Sequence, residues 1–248
     1  MQSWMLTSSF RVMVPERMKV LVCLYSCAAH ETQREHLLAS SLFEWIRSRS
    51  DYQVRTILAD PRLQAARLDA THLCVPVPEQ YRCLSLKTHA MIVSALQLDF
   101  DCLLKIDATI VDHGARRHRQ RVDVLQLLSP EAILSALQDG WLLEGDYQGM
   151  YKQRAREKGF NTWLATKGLS GSFGRVFPSG EATPPYFQGK CYMLSRRLCK
   201  FVSACGASMA AQHAEHLGGS EDLMIGRLVE AWEEMSLNRP SFPGDTKP

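Results

Sequence analysis

Apolar residues occur along the chain in short runs that alternate with stretches of helical spacing. The runs at 19–26, 52–59 and 100–106 are mostly apolar, which is typical of strands buried on both faces of a parallel sheet. Between them, apolar residues recur every three to four positions over 32–48 and 79–98, which predicts two helices. This alternation of strands and helices predicts right-handed parallel crossovers and a Rossmann-like half.

The second half of the chain carries weaker signals. Ser129 followed by Pro130 predicts a helix start, because a hydroxyl can cap the first turn and proline suits the first helical position. Gly140 is expected to end this helix. Short apolar runs predict further strands at 141–143 and 191–194.

Beyond residue 144, the pattern predicts long loops and two more helices. Glycine and polar residues over 145–179 are typical of long functional loops. Helices are expected over 196–205 and 221–235, and Ser220 is placed to cap the second of them.

The chain as a whole predicts one domain with two irregular ends. Residues 1–18 lack strong periodicity, which predicts a flexible N-terminal arm. Residues 19–237 are expected to form a single domain, since 248 residues with 46% hydrophobic content can bury one sizeable core. Residues 238–248 contain three prolines and predict a disordered tail.

Charge and cysteine content narrow the classes of function. A net charge of +3 is too small to indicate nucleic acid or a membrane as the main partner. The eight cysteines form no paired C-x-x-C, which argues against a zinc site. Because cysteine prefers protein interiors, we expect buried free thiols in a reducing compartment.

The apolar runs are too short for a membrane protein. No segment reaches the 18 to 20 apolar residues, roughly, that cross a bilayer. The run at 20–27 is one strand long, and the residues before it lack the apolar core and cleavage site of a signal peptide. We therefore expect a cytoplasmic protein without an integral membrane segment, unless an anchor lies outside this sequence.

Asp107 is the first candidate for chemistry, because it follows the predicted strand at 100–106. Open α/β sheets bind their ligands at the carboxyl ends of strands. A carboxylate there suits a divalent metal, since hard cations prefer oxygen ligands, whereas Thr109 two residues later offers only a hydroxyl. The alternative is that Asp107 caps the following turn, as aspartates often do.

Three motifs in order resemble one family of enzymes. They are L-S-L-K-T at 84–88 with L-L-K-I-D at 103–107, P-P-Y-F-Q-G-K-C-Y-M-L-S at 184–195, and E-D-L-M-I-G at 221–226. Together they resemble the β-1,3-galactosyltransferase-like enzymes of glycosyltransferase family 31, which include the Fringe-type enzymes. The resemblance spans roughly residues 20 to 230. The chain departs from the family at 107–109, where D-A-T stands in place of an acidic triplet.

The resemblance implies both a fold and a reaction. The fold would be the GT-A glycosyltransferase fold, a Rossmann-like, mostly parallel mixed sheet flanked by helices. The reaction would be an inverting transfer of a hexose or N-acetylhexosamine from a UDP-sugar to a hydroxyl of a glycan or glycoconjugate, with a β-1,3-type linkage. Mn²⁺ or Mg²⁺ would bind at Asp107 and the donor diphosphate.

The resemblance also implies roles for individual residues. Glu221 or Asp222 would be the general base that deprotonates the acceptor, with Asp222 preferred. The alternative for both is a structural one, because acids in the first turn of a helix are favoured by its dipole. Lys190 would either meet a phosphate or face water. The residues expected at the donor are Arg34, Lys87, Lys105, Asp107, Thr109 and Gly189, with Lys87 ordering its helix beside the nucleotide.

Two other functions remain open at this point. One alternative is a catalytically inactive member that binds a nucleotide sugar or a glycan and has a degraded D-x-D motif. The other is an unrelated α/β nucleotide-binding protein, although neither G-x-x-x-x-G-K-[ST] nor G-x-G-x-x-G occurs. A basic cluster at 116–121 is interpreted as a solvated loop or as a means of steering a phosphate.

Overall fold

The structure is a computed structural model that describes residues 18–110, 128–169, 171–177 and 182–237. The protein is built around a seven-stranded mixed sheet. Its strands are β1 (Val20–Tyr25), β2 (Tyr52–Ala59), β3 (Arg67–Leu68), β4 (His72–Val75), β5 (Cys102–Asp107), β6 (Tyr147–Gly149) and β9 (Cys191–Ser195). They follow one another across the sheet in the order β3-β4-β2-β1-β5-β9-β6. A separate pair consists of β7 (Lys152–Gln153) and β8 (Tyr186–Phe187).

The centre of the sheet is parallel and its margins are antiparallel. Strands β4, β2, β1 and β5 run parallel to one another. Strand β3 pairs antiparallel with β4, and β9 pairs antiparallel with both β5 and β6. The predicted α/β class with a mostly parallel mixed sheet is confirmed at this level, and the GT-A assignment stays a prediction.

Helices cover both faces of the sheet. They are α1 (Glu31–Leu38), α2 (Ser41–Arg47), α3 (Leu84–Ala95), α4 (Pro130–Gln138), α5 (Glu157–Thr166), α6 (Phe173–Val176), α7 (Arg196–His216) and α8 (Glu221–Leu237). Successive residues of β1 point to opposite faces, as a strand requires. One set packs with α3, α7 and α8 and the other with α1, α2 and α4, which explains why β1 is buried along its whole length.

Several boundaries differ from the predicted ones. The helix expected over 32–48 is two helices, because Ser40 is extended and its hydroxyl donates to the Leu37 carbonyl oxygen, which ends α1. The predicted strand at 141–143 is wrong, since Trp141–Leu143 is a 3-10 helix. A run of three apolar residues has no period that distinguishes the two forms. Helix α7 continues to His216, well past the predicted end at 205.

The prediction of loops over 145–179 is wrong for much of that stretch. It contains β6, β7, α5 and α6. Helix α5 forms because Phe160 and Leu164, one turn apart, pack in a small core with Phe173 and Phe177. This core lies beside the two main layers and supports one wall of the cavity described below.

Other expectations have mixed outcomes. All eight cysteines are free and six are buried, as predicted. In the described part of the chain, no helix is both long enough and apolar enough to cross a membrane. The predicted arm, apart from Met18, the basic cluster at 116–121 and the tail from 238 lie outside the described residues.

Candidate functional site

A cavity of about 560 Å³ opens at the carboxyl edge of the parallel strands. Tyr25, the last residue of β1, and Asp107, the last residue of β5, both line it. The chain builds β2 and β4 on one side of β1 and then crosses back to place β5 on the other side. This is the switch point at which open α/β sheets bind ligands. Of the predicted site residues, the cavity is lined by Lys87, Asp107, Thr109, Gly189, Glu221 and Asp222.

Asp107 forms a small polar corner with Thr109 and Lys190. Its Oδ1 accepts from the Thr109 backbone N–H at 2.8 Å and from the Thr109 hydroxyl at 2.6 Å. The Lys190 Nζ lies 3.3 Å from the same oxygen and also donates to the Thr109 hydroxyl oxygen. Asp107 therefore caps the turn after β5, as its structural alternative predicted, and at the same time presents an ion pair to the cavity.

Electrostatics keep the Asp107 carboxyl ionised. Burial by itself would raise the pKa of Asp107, but the positive charges of Lys190 and Lys105 and the two hydrogen bonds from Thr109 outweigh it and lower the pKa to about 2. The corner therefore holds a carboxylate at neutral pH, paired with the Lys190 ammonium at 3.3 Å.

The described residues around Asp107 do not fit a divalent metal in their present arrangement. The part of the chain that the structure describes contains no group of three or more His, Cys, Asp or Glu side chains that could hold a metal ion. Mg²⁺ and Mn²⁺ prefer several oxygen ligands, whereas the Oδ1 of Asp107 is contacted by an ammonium. Binding of Mn²⁺ or Mg²⁺ at Asp107 stays a prediction from the resemblance.

Lys105 lies beneath the cavity instead of in its wall. Its side chain is fully buried, and its Nζ lies 3.2 Å from Glu221 Oε1 and donates to the Gly189 carbonyl oxygen. The same ammonium stands 4.3 Å from the centroid of the Tyr25 ring and 5.3 Å from that of Tyr192. Lys105 was expected at the donor, but its position makes it an internal support for Glu221 and Gly189.

Of the two acids at the start of α8, Asp222 accepts hydrogen bonds from backbone N–H groups, whereas Glu221 forms an ion pair with Lys105. Its Oδ2 accepts from the Gly189 backbone N–H at 3.2 Å, and its Oδ1 accepts from the Leu223 N–H at 2.8 Å. Burial and the negative charge of Glu221 raise the pKa of Asp222 to about 7. A carboxylate with a pKa near neutrality is suited to general base catalysis, whereas Glu221 is engaged by Lys105.

The dipeptide Gly189-Lys190 joins the two acidic positions. Gly189 contacts Asp222 through its N–H, and the Lys190 carbonyl oxygen accepts from the Asp107 N–H at 2.9 Å. A Cβ on Gly189 would lie only 2.1 Å from Glu221 Oε1, so a side chain at this position would displace the Glu221 carboxylate. Asp107 and Asp222 are far apart in the sequence, and this short stretch of backbone contacts both of them.

Lys87 and Arg34 have local partners of their own. Lys87 is almost completely buried, and its Nζ donates to Glu79 Oε1 at 2.7 Å and to the Ser26 carbonyl oxygen. These bonds tie α3 to the end of β1, which agrees with its expected ordering role. Burial lowers the pKa of Lys87 despite the neighbouring Glu79. Arg34 pairs with Glu31 at 3.1 Å and is not among the residues that line the cavity.

An aromatic wall and two arginines were not predicted from the sequence. The ring of Trp163 lies 6.1 Å from Tyr81 and 5.1 Å from Phe160, measured between centroids, and all three line the cavity. Arg154 and Arg156 are exposed and line it too. Phe160, Trp163 and both arginines lie in a stretch expected to be loop, whereas Tyr81 was expected at the start of a helix, so the sequence does not show that they meet at one cavity.

The glycine of the E-D-L-M-I-G motif has a packing role that a substitution can test. A Cβ at Gly226, inside α8, would lie 2.5 Å from Tyr186 Cβ, on a segment that lines the cavity. We expect Gly226→Ala to lower the free energy of unfolding by about 1–3 kcal/mol in urea denaturation, because it overpacks this contact.

The matched control is Gly159→Ala in α5, where a Cβ would meet nothing within 4 Å. This substitution is expected to raise the free energy of unfolding by about 1 kcal/mol or less, since alanine favours helix over glycine. If both variants stabilise the protein, the close contact between α8 and Tyr186 is not a constraint.

Comparisons with known proteins add no relative to this picture. No protein-family model matches the chain, and no curated protein matches it. A functional conclusion therefore depends on the chemistry of the cavity and on the order of the motifs.

Proposed function

We propose that this protein is an inverting glycosyltransferase of the GT-A type, which moves a hexose or N-acetylhexosamine from a UDP-sugar to a glycan hydroxyl. One observation carries the proposal: Gly189-Lys190 contacts both the Asp107 corner and the Asp222 carboxylate within one cavity. An ammonium suited to phosphate and a carboxylate suited to proton removal are therefore neighbours, as sugar transfer from a nucleotide requires.

The donor would occupy the side of the cavity between Lys190 and the aromatic wall. The cavity volume of about 560 Å³ lies in the range of small-molecule sites. The flat faces of Tyr81 and Trp163 suit a uracil or a sugar ring, since aromatic rings offer large apolar surfaces for stacking. The Lys190 ammonium would bind the diphosphate, which carries the charge of the leaving group.

Asp222 would activate the acceptor. Its carboxylate takes the proton of the acceptor hydroxyl as that oxygen attacks the anomeric carbon from the face opposite the diphosphate. The bond from the anomeric carbon to the diphosphate oxygen breaks as the new glycosidic bond forms, so the configuration inverts. One carboxylate is enough for this reaction, unlike glycoside hydrolysis, which uses two.

A panel of UDP-sugars with glycan acceptors tests the proposal. We expect at least one UDP-hexose or UDP-N-acetylhexosamine to release UDP only when an acceptor is present, with the glycosylated product detected by mass spectrometry. UDP binding without acceptor-dependent release would support the nucleotide-sugar-binding alternative. The absence of binding by any UDP-sugar would contradict both functions.

A further inference from the structure

We propose that Lys190 takes the place of the divalent cation at this site, so that the donor diphosphate binds to an ammonium held by Asp107 and Thr109 and needs no metal. This inference rests on the proposed function and identifies how its donor is bound. The ligand class is a nucleoside diphosphate, recognised through its phosphate oxygens.

The first argument is the position of Lys190. Its side chain is about one quarter exposed and lines the cavity, while its Nζ contacts Asp107 Oδ1 and the Thr109 hydroxyl oxygen. Its backbone carbonyl is held by the Asp107 N–H at 2.9 Å, so both ends of the residue are fixed to the same corner. An ammonium has three N–H donors, and the two described contacts leave one for a phosphate oxygen.

The second argument is the balance of charge. A D-x-D pair with a divalent cation brings two negative charges and two positive charges to the diphosphate. Here Thr109 stands at the second acidic position, which removes one negative charge, and Lys190 supplies one positive charge in place of two. The corner is neutral in both cases, and a divalent cation at Asp107 Oδ1 would have to displace the ammonium that contacts this oxygen.

The third argument is the further positive charge nearby. Arg154 and Arg156 line the same cavity from the β7 side and are exposed. Guanidinium groups bind phosphate oxygens in a bidentate manner, so they suit the charge that a diphosphate brings beyond that of Lys190. The cavity therefore holds cations of its own that can neutralise the leaving group.

Calorimetric titration of the full chain with UDP and with uridine, in EDTA and in Mn²⁺, tests this inference. We expect UDP to bind with similar affinity in both solutions. Lys190→Ala should weaken UDP by about tenfold to a hundredfold, because a hydrogen bond to a charged group is lost, and leave uridine binding unchanged. Lys200→Ala, an exposed lysine on α7, is the matched control and should alter neither ligand.

A double variant tests the balance of charge directly. Thr109→Asp combined with Lys190→Ala restores two carboxylates and removes the ammonium, so UDP binding is expected to require Mn²⁺. Thermal melting of each variant establishes that it is folded before titration. A double variant that is folded and binds UDP equally well in EDTA would count against the inference.

The outcomes separate the inference from the function on which it rests. UDP binding by the unmodified chain only in Mn²⁺ or Mg²⁺ overturns the role given to Lys190 and leaves the proposed transferase intact. Equal weakening of UDP and uridine by Lys190→Ala also overturns it, since that indicates a general distortion. No UDP binding in any solution contradicts the transferase itself.

Discussion

Asp222→Asn is expected to lower the rate of sugar transfer by about 10²–10⁴-fold, because an amide cannot accept the proton that the acceptor hydroxyl loses. The binding of UDP should change little, since Asp222 contacts Gly189 and Leu223 and makes no described contact with the Asp107 corner. Initial rates of UDP release at saturating donor and acceptor, together with UDP titration, separate the two effects.

The pH dependence of sugar transfer gives a second test of the role of Asp222. The pKa of Asp222 is raised to about 7, and the base must be ionised, so transfer is expected to fall as pH drops below about 7 and to level off above it. In Asp222→Asn the remaining slow transfer should lose this acidic limb. A limb that persists unchanged in the variant would assign the titration to another group.

The free energy of unfolding should change with pH in the direction opposite to the rate of transfer. A carboxyl whose pKa is raised by folding binds more protons in the folded state, so the free energy of unfolding falls as pH rises from about 4, its unfolded value, to about 7. Asn cannot titrate, so the variant should gain stability relative to the unmodified chain over that range. Asp139→Asn, an exposed acid at the end of α4, is the control and should show neither effect.

The central sheet could be predicted because its residues carry the pattern by themselves. All six residues of β1 are buried, so Val20–Tyr25 reads as a continuous apolar run. Five of the six residues of β5 are buried, and its pattern is mostly apolar apart from Lys105 and the final Asp107. Helix α5 was missed for the opposite reason. Its Phe160 and Leu164 pack on α6 and not on the sheet, and Gly159 and Asn161 give the stretch the composition of a loop.

The acidic residues of the site could be predicted from the sequence, but the residues with which its charged groups pair could not. Asp107, Glu221 and Asp222 were found because a strand end, a helix start and the resemblance mark them. The resemblance placed Lys105 at the donor. Nothing in the local sequence shows that its partner is Glu221, 116 positions later. The contacts that decide its role arise only when β5, α8 and the 188–190 turn meet.

Lys105→Met is expected to lower the free energy of unfolding by about 3–5 kcal/mol, because it leaves the buried Glu221 carboxylate without its cation. The Gly189 carbonyl oxygen also loses a donor. Methionine keeps the length of the side chain, so the loss reports the missing charge and not a cavity. Urea denaturation at pH 7.5, with the slope compared between variants, measures the change.

The pairing itself is tested by a double-mutant cycle. Glu221→Met added to Lys105→Met removes both charges, and we expect it to restore much of the lost stability, since an apolar pair often replaces a buried ion pair without penalty. Lys19→Met is the matched control, because Lys19 pairs with Asp99 on the surface, where both side chains are more than half exposed. It should change stability little.

The cycle also decides what the buried pair contributes to the site. If Lys105→Met is no more destabilising than Lys19→Met, then Glu221 is stabilised without Lys105 and the support assigned to this lysine is incorrect. If the double variant recovers stability but binds UDP weakly, the pair is needed to hold Gly189-Lys190 against the cavity. Full recovery of both stability and UDP affinity would mean that packing alone positions the dipeptide and that the charges are dispensable.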